Sequence, residues 1–279
     1  MKEIFDVIPE NNIIILSPHY DDVPLTFGGY LDGLSKNGLI NSKNIRIVQI
    51  FSRSNYQARD DKGNKDISLK RIQYATGIRL LEDLNCLDDL LGHGNYSYEL
   101  KAEKECVMRQ KAWKSGEMFE FPQGNRENFD SEDWQIYENI KSYAYSWLSQ
   151  ENTALLLPLC VKEHIDHVIL REAVLTVREE ELKDQANAVL YFGEDQPYTG
   201  LANKNDWNKA EEFLKGFVVE RIDYLIDENR KIDVIWKHYP TQVEESYRQG
   251  IFSRSHQLKL INNSISGVER MYRIVSKVH

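Results

Sequence analysis

The chain has 279 residues, 41% hydrophobic and 28% charged, with a net charge of −9 and a pI of about 5.4, which is ample apolar material for one large globular core. The acidic balance argues against a nucleic-acid partner, because phosphate binding wants a basic face. No apolar run reaches the roughly 18 residues of a membrane span, and Cys86, Cys106 and Cys160 form neither a Cys-x-x-Cys pair nor a disulfide framework.

Residues 13–16 (Ile-Ile-Ile-Leu) are too short and too β-branched for a helix and read as a fully buried strand. Residues 23–34 follow with apolar side chains at helical spacing and Pro24 in the first turn. Gly28 and Gly29 cost helix propensity there, which tight packing against the strand or a site explains. Residues 45–51 read as a second strand, and the strand–helix–strand order implies a parallel crossover. Residues 53–65 are polar and turn-rich. Asp66 is the expected cap of a helix over 67–84, with Leu69, Ile72, Tyr74, Ile78 and Leu81 as its apolar face. Residues 92–96 are a loop, where His93 reads as a surface histidine.

Residues 99–126 are charged and aromatic without a clean period, and read as an insertion or lid with a helical first half. Glu103, Glu105, Glu117 and Glu120 dilute its basic residues, so a solvated face is expected rather than a nucleic-acid surface. Asp130 or Ser131 caps a helix to residue 148, with Trp134, Tyr137, Tyr143 and Trp147 as core. A buried strand at 154–157, a helix at 164–177, a strand at 188–192 and a helix capped by Asp206 follow. An alternating strand at 217–226, a helix at 228–238 stopped by Pro240, and a tail of helix plus closing strand complete the chain.

Two polar clusters stand at strand ends. Ser17-Pro18-His19-Tyr20-Asp21-Asp22 follows the first buried strand, and His164-Ile165-Asp166-His167 follows the strand at 154–157. Strands of an open α/β sheet end at a crevice where ligands bind. His19 and Asp22 are three apart, so one turn brings both toward one ion, and Asp21 is left beside them as a general base. Of His164 and His167, also three apart, one can ligate while the other faces the substrate. Imidazole with carboxylate suits zinc, which in catalytic sites keeps one position for water. The plainer reading is a pair of helix N-caps with acidic first turns.

Pro18-His19-Tyr20-Asp21-Asp22 with Gly28-Gly29 resembles the Pro-His-x-Asp-Asp…Gly-Gly signature of the PIG-L/LmbE-like zinc N-deacetylases. His164-Ile165-Asp166-His167 is similar to that family's His-x-Asp-His, and Tyr191 to Tyr198 to its Tyr-x-Glu-Asp-x-Pro-Tyr. The likeness spans roughly residues 11 to 200, with an echo in Tyr239-Pro240-Thr241-Gln242. It implies an α/β fold, a Rossmann-like, mostly parallel sheet flanked by helices, as a single domain over residues 1–279. It also implies His19, Asp22 and His167 as ligands of zinc, with ferrous iron as the alternative metal. Asp21 matches the general base, His164 the group that stabilises the oxyanion or protonates the amine, and Asp166 a carboxylate that orients a histidine. Arg71, Arg53, Glu194 and Tyr198 are the expected substrate contacts. Val23 stands where the family often has Glu. Gln73 or Tyr74 replaces the acid expected shortly after Arg71.

The expected activity is hydrolysis of an N-acetyl group from an N-acetylglucosamine-like conjugate, in a cytoplasmic protein with no signal peptide visible. Homo-oligomerisation is an open expectation. The rival readings are a zinc amidase acting on another acyl or thiol conjugate, and a non-catalytic α/β binding module. Against the latter, no phosphate-binding glycine motif follows any strand. Cys160 reads as a small core residue.

Overall fold

The computed structural model describes residues 1–114 and 118–278; Glu117, counted above among the acids of the 99–126 segment, lies outside the described residues. The first half runs α1 (Ile4–Val7), β1 (Asn12–Ser17), α2 (Asp22–Lys36), β2 (Asn44–Gln49), α3 (Asp61–Asn64), α4 (Leu69–Leu91) and β3 (Tyr96–Leu100). A small hairpin of β4 (Trp113–Lys114) and β5 (Met118–Phe119) precedes α5 (Ser131–Leu148), β6 (Thr153–Pro158), α6 (Ile165–Thr176) and β7 (Val189–Gly193). The last third is α7 (Tyr198–Leu201), α8 (Lys204–Lys215), β8 (Phe217–Ile226), α9 (Glu228–His238), α10 (Glu245–Asn262) and β9 (Gly267–Lys277).

Seven strands form one sheet in the order β3-β2-β1-β6-β7-β9-β8. β3, β2, β1, β6 and β7 are parallel, while β9 is antiparallel to both β7 and β8. This is the mostly parallel α/β sheet expected from the sequence. Its central strands alternate between two cores. Ile14, Leu16, Leu155 and Leu157 pack with α5 and α6 on one face. Ile13, Ile15, Ala154 and Leu156 pack with α2, α4 and α9 on the other. A strand covered on both faces needs apolar residues at every position, which is why β1 and β6 read as unbroken apolar runs.

The chain leaves β1 toward β2 and β3 on one side and later returns to β6 and β7 on the other. The order reverses between β1 and β6, and a crevice opens at such a switch point beyond the carboxyl ends of the strands. Gly29 of α2 sits against β8: a Cβ there would lie 2.4 Å from Ile226 Cγ2 and 2.7 Å from Glu269 Oε2.

Several local expectations are corrected. Ser68, not Asp66, caps α4, its side chain accepting from the Arg71 N–H, and the helix runs on to Leu91. Its expected apolar face is the outer one: Leu69 is 68% exposed and Leu81 60%, while Arg79, Glu82 and Asp83 are buried. Asn203 rather than Asp206 caps α8. The described part of the 99–126 segment contains the end of β3, turns, the β4–β5 hairpin and the start of a 3-10 turn at Arg126, and no α-helix.

Candidate active site

His19, Asp21 and Asp22 leave β1 on a rigid turn. The Ser17 hydroxyl donates to the His19 carbonyl at 2.6 Å, the Gln49 amide donates to the Pro18 carbonyl at 2.8 Å, and the His19 N–H donates to Asp22 Oδ2 at 2.7 Å. Asp21 occupies the N-cap position of α2, yet its side chain makes no capping bond. The capping role offered by the plainer reading is not the one its carboxylate takes. His164 is the N-cap of α6, its Nδ1 accepting from the Asp166 N–H at 3.3 Å.

Three atoms meet across the switch point. His19 Nδ1 lies 3.2 Å from Asp22 Oδ2, His167 Nε2 lies 3.2 Å from the same oxygen, and the two ring nitrogens are 3.3 Å apart. Donors about 2.1 Å from a tetrahedral ion stand about 3.4 Å from one another, so this triangle has the size a metal requires. The outer nitrogens face carboxylates: His19 Nε2 bonds Asp166 Oδ2 at 2.9 Å, which sets its tautomer, and His167 Nδ1 lies 3.5 Å from Asp195 Oδ2. With the N–H of each ring turned outward to a carboxylate, lone pairs point inward, the arrangement by which metal-binding histidines are oriented. His19, His164 and His167 also offer ligand atoms within 4.8 Å of one another.

The electrostatics match this demand for a cation. Burial works against charge on His19, yet Asp166 and Asp22 push it up to about 10. Burial is likewise outweighed at His167, which Asp22 and Asp195 push up to about 9. Burial opposes ionisation of Asp22 as well, but His167 and His19 hold it well below the usual carboxylate range. The cluster pulls in a proton when nothing else supplies positive charge.

Asp21 and His164 flank this centre and differ from it. Burial, and then the Asp22 charge, push Asp21 up to about 6, while Arg79 and His19 act in the opposite direction. Burial, followed by His19 and His167, holds His164 well below its ordinary value, so it is neutral. Because its Nδ1 accepts the Asp166 N–H, its proton sits on Nε2, where it can be donated. Both side chains line a cleft of about 520 Å³ that opens over the site.

The other expected residues separate. Tyr198 lines the cleft, its ring stacked 6.3 Å from His164. Arg53 is exposed and its side chain is not on the cleft wall. Arg71 donates to the Asn55 carbonyl, Gln57 and Asn64 and pairs with Asp60 at 2.9 Å, so it braces the loop that carries the cleft residues Arg59 and Asn64. Glu194 is buried in a bidentate pair with Arg254, two bonds of 2.5 Å, and accepts from the Tyr272 hydroxyl. Exposed His93 stands beside Asp88, and Cys160 is buried.

Two residues were missed. Asp195 turns His167, as noted. Arg79 is the buried cation of the cleft, donating to Gln242, Ser54 and Glu105, with Nη2 3.9 Å from Asp21. The Arg-then-acid spacing sought at Arg71 occurs at Arg79 and Glu82 instead. The 99–126 segment also enters the site from below, as Arg109 and the Cys106 N–H both donate to Asp166, at 2.6 and 2.9 Å.

No protein-family model and no curated protein matches the chain. Solved structures do. The A40926 pseudoaglycone deacetylase matches with a TM-score of 0.62 at 17% identity, over 97% of this chain and 99% of that one. A zinc-inhibited form of teicoplanin deacetylase gives 0.64 at 16%, over 95% and 98%. The N,N'-diacetylchitobiose deacetylase of Pyrococcus horikoshii gives 0.52 at 12%, over 98% and 86%. At such identities the likeness establishes the fold, which is the LmbE-like α/β fold of these deacetylases.

Proposed function

We propose that this protein is a metal-dependent N-deacetylase that removes an acetyl group from an amino-sugar conjugate. The observation that carries the reading is the triangle of His19, Asp22 and His167, each histidine backed by its own carboxylate, with a raised-pKa acid and a neutral imidazole on its flanks. These three residues are the ones to hold the ion, and mixed imidazole and carboxylate donors suit zinc or ferrous iron better than magnesium. The solved neighbours named as deacetylases of teicoplanin, A40926 pseudoaglycone and diacetylchitobiose support a sugar-linked acetamide as substrate.

A divalent ion held there supplies the positive charge that acidifies water and polarises an amide carbonyl. Asp21, pushed up to about 6, takes the proton of the attacking water and so works near neutral pH. His164 Nε2–H donates to the carbonyl oxygen as charge develops on it. The proton collected by Asp21 then passes to the departing amine. Asp166 and Asp195 keep the two ligand rings turned. Tyr198 is the cleft side chain we assign to the substrate, and Arg79, 3.9 Å from Asp21, acts on the base.

The test is incubation with a panel of N-acetylated amino sugars, following free amine and acetate together, before and after metal removal. Stoichiometric release that chelation abolishes and zinc restores is the expected result. Release of a longer acid only would favour the amidase alternative, and no metal uptake at all would refute the site.

A further inference from the structure

We infer that Cys106 and Val107 form the acyl pocket of this site and restrict it to short acyl groups. This rests on the deacetylase reading above and names which end of the cleft takes which half of the substrate.

The residues of the cleft wall differ in exposure. One end carries Arg59, Asp61, Glu244 and Ser246, which are exposed or half-buried. The lining beside His164 is formed by Cys106 and Val107, only 2% and 4% exposed, with buried Pro122 and half-buried Phe121; the charged groups next to them are already engaged, Glu105 by Arg79 and Ser54, and Lys162 over the Phe121 ring at 4.8 Å. Cys106 is tied to the centre. Its N–H bonds Asp166, which in turn orients His19, and its Sγ lies 3.8 Å from His164 Nε2.

An amide whose oxygen accepts from His164 Nε2 at about 2.7–3.1 Å places its carbonyl carbon beside that thiol. Of the two groups on the carbonyl carbon, one must face this buried patch and the other the polar mouth. Sugar hydroxyls buried against Cys106 and Val107 would lose their water and meet polar groups already committed to one another. The acyl substituent, having no polar atoms, loses nothing there and gains burial. The acyl chain therefore runs toward Cys106 and Val107, and the sugar toward Arg59 and Glu244. Cys106 and Val107 are then the side chains whose size bears on the chain length that fits.

The experiment is a series of N-acyl glucosamines (acetyl, propionyl, butyryl, hexanoyl) compared by kcat/KM on the metal-loaded enzyme. Wild type should lose about tenfold or more between acetyl and butyryl, the discrimination a hydrophobic pocket gives per one or two methylenes. Cys106→Ala and Val107→Ala should each raise the butyryl-to-acetyl ratio by about fivefold or more, and Val107→Leu should lower it. A purely structural role would depress all substrates alike and leave the ratio unmoved. Val107→Ala carries the test by itself if Cys106→Ala does not fold. A ratio unchanged in the folded variants, or wild type hydrolysing all chain lengths equally, overturns the inference while the deacetylase reading stands. A wild type that hydrolyses no N-acyl sugar overturns both.

Discussion

His19 and His167 each spend one ring nitrogen on a carboxylate and aim the other at Asp22, so each should be needed for the metal rather than for the fold. Elemental analysis after dialysis should find close to one ion per chain in wild type and none in His19→Ala or His167→Ala. Asp195→Ala should keep the site but weaken zinc affinity by roughly 10–100-fold, the usual cost of losing an orienting carboxylate; a chelator competition titration measures it. Asp21→Asn behaves differently. Asparagine keeps the shape and cannot accept a proton, so metal content should hold while kcat falls by roughly 10²–10⁴-fold. His164→Ala should also slow turnover with the metal retained. If it instead sheds the ion, His164 rather than His167 is the ligand, an assignment that three converging imidazoles make worth testing directly.

At the scale of elements, the β4–β5 hairpin of the 99–126 segment contributes an aromatic side chain to the cleft wall. Phe119 lines the cleft in ring contact with Tyr56 at 5.7 Å, and Trp113 backs Phe119 edge-on at 5.5 Å. Replacing both with alanine should raise KM for the natural conjugate and barely change kinetics on a minimal N-acetyl sugar, since lost remote contacts cannot penalise a substrate that never made them. Steady-state kinetics on the two substrates decide it. Elements differed in how well the sequence announced them. β1 and β6, covered on both faces, were legible as apolar runs, and the polar clusters at their ends followed. β3, half-exposed at the sheet edge, mixes polar residues into Tyr96-Ser97-Tyr98-Glu99-Leu100 and passes for loop. α4 inverts the usual pattern. Its inner face meets a polar site before it reaches the core at Cys86, Leu87, Leu90 and Leu91, so it buries Arg79, Glu82 and Asp83 and leaves Leu69, Tyr74 and Leu81 outside, and a rule that seeks the apolar stripe in its first turns picks the wrong side. Asp195 was within a recognised segment, but only its position opposite His167 shows what it does.

For the whole molecule, the site lies where the sheet changes direction. His19 and Asp22 arrive on the β1 side, which continues to β2 and β3, and His167 arrives on the β6 side, which continues to β7, β9 and β8. Without an ion, three acceptor atoms 3.2–3.3 Å apart from two sequence-distant turns must share protons to avoid repulsion. An ion replaces that repulsion with attraction to all three and joins residues 19 and 167, which lie 148 residues apart in the chain. The folded state offers this geometry and the unfolded chain does not, so binding must stabilise folding by RT ln(1 + [metal]/Kd), about 4 kcal/mol at a free metal concentration a thousandfold above Kd. Melting curves of dialysed and zinc-loaded protein should show a higher Tm when loaded, with the gain growing as free zinc rises. The same curves on Asp21→Asn should show a comparable gain, because the ligands are intact, and on His167→Ala almost none. Equal gains in all three proteins would mean that zinc stabilises the fold from some other surface, and the triangle would lose its role as the metal centre.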